Sequence, residues 1–232
     1  MKQIIDVANL SKAYGNMQVF NDFSLSIESG QIVGLLGPNG CGKTTLIKII
    51  AGLINDYKGS VLVDGQLVGI RSKSLISYLP EKTYLPDWMK AGQAIDYFAD
   101  FYTDFDKQKA VELLNRFQMS SGMKIKSMSK GMQEKLQLFL VMSRRAALYL
   151  LDEPLSGVDP AARSVILDII IDNYTENSTV LLSTHLIYDV ERIFDRIVFL
   201  KYGRVEINEQ AELLREQYGK SIDELFREVF RC

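Results

Sequence analysis

"IVGLLGPNGCGKTTLIKII", residues 32–50, holds the reading that decides the fold. Its five apolar residues from Ile32 to Leu36 suit a strand buried on both faces, and the periodicity from Lys43 onward suits a helix over about 43–51. Between them, residues 37–44 match the phosphate-loop pattern, two glycines followed by Lys and Thr, in the strand-to-helix setting that gives the pattern its meaning. Glycines let backbone N–H groups curl around phosphates. Lys43 is placed to reach the β- and γ-phosphates, and the Thr44 hydroxyl to ligate Mg²⁺. Gly37, Pro38, Asn39, Gly40, Cys41, Gly42, Lys43 and Thr44 are therefore candidate nucleotide-binding residues, with Cys41 in a variable slot of the loop that tolerates a small side chain.

Upstream of this stretch, "QIIDVANL" and "FNDFSLSIES" read as short strands, and downstream "GSVLVDGQLV" carries an Asp64-Gly65 pair suited to a tight hairpin turn. Residues 88–145 are dominated by helical patterning. Alternation then resumes with strand "ALYLLD", helix "AARSVILDIIID", strand "TVLLS", helix "YDVERIF" and strand "RIVFL". Strand and helix taking turns predicts an α/β fold: a parallel sheet covered on both faces, an antiparallel β lobe near the N-terminus and a helical lobe over about 85–145. The main unit is expected over residues 1–208. Residues 209–232 read as an extension of amphipathic helices that pack or play an accessory part.

Composition narrows the classes of function. With 47% hydrophobic and 24% charged residues in a chain of 232, there is material for a substantial core. Lys plus Arg number 27 against 29 Asp plus Glu, and no basic stripe or basic-aromatic patch stands out, which argues against nucleic acid as the main partner. The two cysteines, Cys41 and Cys232, are far apart and lack metal-ligand spacing, as expected in a reducing cytoplasm. No window approaches the roughly 18 apolar residues of a membrane span, and "MKQIIDVANL" lacks an apolar run of signal-peptide length. The expected location is cytoplasmic.

Two further strand ends carry chemistry. "LYLLDEP", residues 148–154, places Asp152 and Glu153 at the carboxyl edge of the sheet, where ligands of α/β folds bind. Asp152 is a candidate for holding Mg²⁺ and Glu153 for orienting or deprotonating an attacking water. An Asp-Glu pair at a strand end is often only a solvated loop start, but the phosphate loop gives this one a partner. The single histidine, His185, follows "LLST" and points to the same edge. A fourth stretch, "SMSKGMQEK" at 127–135, opens a helix with Ser129 as cap and Gly131 in the first turn. Unpaired N–H groups and the positive dipole end suit such a terminus to an anion.

In this order the pieces resemble the nucleotide-binding subunits of ATP-binding cassette (ABC) transporters, over nearly the whole chain. "GPNGCGKTT" resembles their Walker A motif and extends the nucleotide-binding set to Thr45; "LYLLDEP" resembles Walker B with its catalytic glutamate. "SGVDP", with Asp159, resembles the D-loop, and "STH" the switch histidine. "MSKGM" resembles the signature motif LSGGQ, with Lys130 and Met132 as departures. The resemblance implies that Ser129 and Gly131 approach the γ-phosphate of ATP held by another subunit, while Lys130 reads as a solvated helix residue. It further implies that Tyr14, in "SKAYGN", stacks on adenine. "ISYLPEKTYLP" falls where the family has its Q-loop, with Glu81 in place of glutamine, and this carboxylate reads as linked to the metal.

The implied activity is ATP hydrolysis with Mg²⁺, by a subunit that pairs with a second copy or a homologous ATPase subunit around two ATP. The implied partner is a separately encoded multi-span membrane permease, holding the subunit at the inner face of the membrane. "YLPE" resembles cassettes of exporter-like permeases, which makes export the expected direction. Two rival classes are a soluble ABC ATPase and a small phosphate-loop kinase. The first usually carries long inserts or tandem cassettes, and the second needs an acceptor lid in place of a signature helix.

Overall fold

The computed structural model describes residues 2–175 and 177–230; Cys232 lies outside them. In chain order the elements are β1 (Gln3–Tyr14), β2 (Met17–Glu28), β3 (Ile32–Leu36), α1 (Lys43–Ile50), β4 (Lys58–Val63), β5 (Gln66–Leu67), α2 (Ile70–Lys73) and β6 (Ile76–Leu79). Next come α3 (Ala91–Phe101), α4 (Lys107–Arg116), α5 (Lys130–Met142), β7 (Leu148–Asp152), α6 (Pro160–Asn173), β8 (Thr179–Thr184), α7 (Ile187–Val190), β9 (Arg196–Lys201) and β10 (Arg204–Gln210). The helices α8 (Ala211–Tyr218) and α9 (Ile222–Val229) complete the set.

Two sheets organise these elements. Strands β2-β1-β4-β5 form an antiparallel sheet, and β10-β9-β3-β8-β7-β6 form a six-stranded sheet that is parallel except for the β9–β10 pair. The apolar strands of the larger sheet feed two cores alternately. Ile32 and Leu36 of β3 join one core with Tyr149, Leu151, Val180, Leu182, Ile197 and Phe199. Val33 and Leu35 join the other with Leu148, Leu150, Leu181, Val198 and Leu200. Side chains that alternate across a strand explain why the sequence shows continuous apolar runs: both faces are covered. The first core extends into α3, α4 and α5, and the second into α1 and the antiparallel sheet.

Several boundaries differ from the sequence reading. β1 runs on to Tyr14 through register shifts around Leu10 and Lys12, which break the alternation that marks a strand. β6 and β10 close the two edges of the larger sheet, the former only four residues long and the latter largely polar, as exposed edges tend to be. "YDVERIF" yields only the short α7 and a following 3₁₀ turn. The expected division at residue 208 falls inside β10. Ser221 caps α9, its hydroxyl accepting from the Glu224 N–H, and Phe226 and Phe230 pack against Phe199 of β9 with centroids 5.6 and 5.5 Å away.

A buried arginine locks the helical lobe to β6. The Arg144 guanidinium donates to both Asp104 carboxylate oxygens at 3.1 Å and to the Ser74 carbonyl at 3.0 Å, and lies 3.9 Å from the Tyr102 ring centroid. Its third partner is the Ile76 carbonyl at the start of β6, the strand that leads through Pro80 to Glu81.

Candidate active site

The loop from β3 to α1 has its path set by close backbone contacts. A Cβ on Gly37 would lie 2.2 Å from the Leu200 carbonyl oxygen of β9, and one on Gly42, whose φ is 113°, would lie 2.7 Å from the Phe20 ring of β2. Only glycine fits either place. The Lys43 ammonium folds over the loop, donating to the Gly37 carbonyl at 2.7 Å and the Pro38 carbonyl at 3.3 Å.

Asp152, at the end of β7, is 1% exposed. Its Oδ1 accepts from the Thr44 hydroxyl at 3.1 Å and from the Ser183 hydroxyl at 2.7 Å. Oδ2 is buried and has no hydrogen-bond partner among the described residues. Burial pushes the carboxyl above its usual range; the bonds from Ser183 and Thr44 oppose this, and the Glu81 charge adds to it. A buried carboxylate oxygen without a donor, beside the hydroxyl of Thr44, fits a hard cation such as Mg²⁺. Among the described residues no group of three His, Cys, Asp or Glu could hold a metal alone. Such a cation would complete its shell with phosphate and water oxygens, as Mg²⁺ commonly does.

The next residue turns sharply. Glu153 has φ 53°, a left-handed conformation that costs a non-glycine residue on the order of 1 kcal/mol or more. Its N–H donates to the Ser183 carbonyl at 3.0 Å and is 3.2 Å from the Ser183 hydroxyl, so one serine of β8 braces both acids. The pairing register sets Ser183 opposite Asp152. This bracing role is not legible in "STH" alone. The Glu153 side chain reaches His185, just beyond β8, with Oε2 2.9 Å from Nδ1.

A cleft of about 430 Å³ brings together Tyr14, Asn39, Gly40, Gly42, Lys43, Thr44, Thr45, Glu81, Glu153 and His185. Ser156, which opens the D-loop-like "SGVDP", also lines it, as do Met17 and Val19 of β2, which sequence reading missed because nothing in their local pattern marks a site. Gly37 and Pro38 are not in the lining but present the carbonyls that hold Lys43. The Cys41 side chain sits in the core, where burial pushes the thiol up, against the pull of Lys43. Ser129, Gly131 and Asp159 stand outside this cleft. Ser129 caps α5, its hydroxyl accepting from the Met132 N–H at 3.3 Å. Open space surrounds Gly131, with no heavy atom within 4 Å of where a Cβ would be. Lys130 is exposed and pairs with Glu134 at 3.7 Å.

A phosphate-loop motif after β3, two acids at the end of β7 and a histidine just beyond β8 meet at one edge of the larger sheet. The family model described as "ABC transporter" matches residues 20–156. The chain belongs to the ABC transporter family. Like its relatives it is an ATP-binding subunit and an ATPase. The ABC transporter ATP-binding protein YtrB of Bacillus subtilis is 36% identical, over 94% of this chain and 75% of its own length. The Nod factor export ATP-binding protein I of Sinorhizobium fredii is 30% identical, over 96% of this chain and 67% of its own. A solved ATP-binding subunit of an ABC transporter superposes with a TM-score of 0.87 at 28% identity, covering 97% of this chain and 98% of that one. The ABC fold thus accounts for both sheets and for the helical lobe that carries α5.

Proposed function

We propose that this ATPase pairs with a second copy, or with a homologous subunit, around two ATP molecules and so drives a separately encoded multi-span membrane permease. One observation carries the pairing: the N-terminus of α5, with Ser129 and Gly131, opens outside the cleft that Lys43, Glu153 and His185 line. A free helix start with an open glycine suits a phosphate belonging to another chain. The family resemblance, with the cleft's lining in support, assigns the roles. Tyr14 takes the adenine, the loop from Gly37 to Thr45 and Lys43 take the phosphates, and Asp159 completes the nucleotide-binding set. Thr44, Asp152 and Glu81 would hold Mg²⁺, which supplies charge neutralisation at the phosphates. Glu153 orients and deprotonates the attacking water, with His185 holding its carboxylate.

The permease reading has its own support. An apolar groove of about 630 Å³ lies where α3 meets β6, lined by Tyr78, Tyr84, Tyr97, Phe98 and Phe101 among others, with Tyr97 56% and Phe101 66% exposed. Exposed aromatics around a groove suit a docked protein segment. Among the described residues no helix is long and apolar enough to cross a membrane, and we place the membrane part in another chain, with this one at the inner face. Export is the direction we propose, on the likeness to a Nod factor export protein and on Pro80-Glu81. Affinity purification from membranes solubilised in mild detergent tests the reading. A multi-span protein should accompany the wild type and be lost from a Phe101→Glu variant; recovery of the chain without any membrane protein would favour a soluble ABC ATPase.

A further inference from the structure

Lys12 is a buried cation outside the catalytic constellation just described. Its side chain is 1% exposed, yet it sits on β1 only two residues before Tyr14, at a register shift of the strand. The ammonium donates to the Asp56 carboxylate at 2.6 Å and to the Asp56 carbonyl at 3.0 Å, and it stands over the Tyr14 ring, 4.5 Å from the centroid. It does not line the nucleotide cleft. It lines a neighbouring crevice with Asp56, Tyr57 and Lys58, whereas the Tyr14 ring lines the cleft itself. Burying a lysine costs free energy unless its charge is paired and hydrogen-bonded, and Asp56 supplies both.

We propose that Lys12 is a positioning residue for the nucleotide base, acting through Tyr14. The inference rests on the reading of Tyr14 as the adenine platform. A cation fixed over one face of an aromatic ring is attracted by the ring's quadrupole and holds the ring in place. It also draws electron density towards itself, which makes the opposite face a better partner for an electron-rich purine. Asp56 belongs to the segment that follows α1, the helix that opens with Lys43 and Thr44. The Lys12–Asp56 pair therefore ties the base platform to the element that holds the phosphates.

ADP and inorganic pyrophosphate, titrated calorimetrically into the full-length protein, separate the base from the phosphates. Lys12→Met, which keeps the apolar stem, should weaken ADP binding about threefold to tenfold, within the range of a desolvated cation–π contact, and leave pyrophosphate binding unchanged. In steady state it should raise KM for ATP with kcat unchanged. Lys12→Arg should restore ADP affinity to within about twofold, since guanidinium makes the same kind of contact. In a Tyr14→Leu background Lys12→Met should have no further effect on ADP. Equal loss for ADP and pyrophosphate, or an undiminished effect without the Tyr14 ring, would overturn the proposal in favour of a purely structural tie. If Tyr14→Leu itself spares ADP binding, the platform reading fails and the role of Lys12 falls with it. If Tyr14→Leu weakens ADP while Lys12→Met does not, only the role of Lys12 fails.

Discussion

The Glu153 carboxylate and the His185 imidazole meet at 2.9 Å, Oε2 to Nδ1, across the ends of β7 and β8. Glu153 is held by its left-handed backbone and by Ser183, while His185 is 51% exposed at its side chain. The acid is thus fixed and the histidine accessible. An ionised carboxylate can only accept, so Nδ1 donates to it and a neutral ring leaves Nε2 as an acceptor.

If Glu153 is the base, Glu153→Gln should remove it while sparing the fold around it. Hydrolysis is expected to drop by at least about 10²-fold, the scale of general-base catalysis, with ATP affinity retained. The variant should accumulate as an ATP-bound dimer in size-exclusion chromatography with ATP and Mg²⁺. His185→Ala should lower kcat with little change in KM, because the imidazole holds the base and not the loop. Turnover by the Gln variant at the parental rate would remove Glu153 from the mechanism.

Asp152 yields a prediction about stability. Burial raises its folded-state pKa above the unfolded value, so the group favours the fold fully below the unfolded pKa, and that contribution is lost as pH rises through the folded pKa. Without Mg²⁺ the ionised form carries a desolvation cost that the bonds from Ser183 and Thr44 offset only in part. Asp152→Asn should melt higher than the wild type in EDTA, where a gain of about 1 kcal/mol corresponds to roughly 2–4 °C for a chain of this size. It should also lose ATPase activity and the extra stability that ATP with Mg²⁺ confers. A lower melting temperature for the Asn variant in EDTA would contradict the assignment.

A shared site predicts complementation between two defective chains. Ser129→Arg places a bulky cation at the open start of α5 and should block ATP-driven dimerisation without preventing binding at the same chain's Lys43. Lys43→Ala should lose binding at its own loop. Mixed together, the two form one composite site with both halves intact and one with neither, so the mixture should recover part of the ATPase activity that each lacks alone. Dimerisation by the Ser129→Arg protein on its own would argue against the shared site.

The residues that align by local order were legible without the structure, and those brought together by strand pairing were not. Residues 37–44 announce themselves because strand, loop and helix are contiguous. Asp152 and Glu153 end an apolar run, and His185 follows another, so their common edge could be read from the alternation of elements. Ser183 braces both acids only because β8 pairs with β7 in one register, and Lys12 reaches Asp56 across 44 positions of sequence. β10 escaped reading because an edge strand with one face in solvent carries no apolar run. Cys41 reads as part of the loop by position, yet its side chain packs into the core.

Glu81 is one of the residues at which the sequence departs from the family pattern, and the cleft gives this departure a consequence. It lies beyond β6 in the cleft that Thr44 and Glu153 also line, and its charge adds to the effect of burial in raising both Asp152 and Tyr78. A carboxylate so placed can act in two ways with opposite signs. Without touching the metal, at about 5 Å from a γ-phosphate, it would repel ATP by roughly 1 to 3 kcal/mol at effective dielectrics between water and a protein surface, and Glu81→Gln would tighten ATP binding. As a ligand of Mg²⁺, a hard cation that favours anionic oxygen, it would aid loading, and Glu81→Gln would raise the Mg²⁺ concentration needed for half-maximal ATPase activity. We favour the second, because beside the one unpartnered oxygen of Asp152 and the Thr44 hydroxyl a second carboxylate would join the phosphate and water oxygens of the shell. Mg²⁺ titrations at fixed ATP should place the Gln variant's midpoint above the parent's, and superimposable curves would sink the metal-linked role.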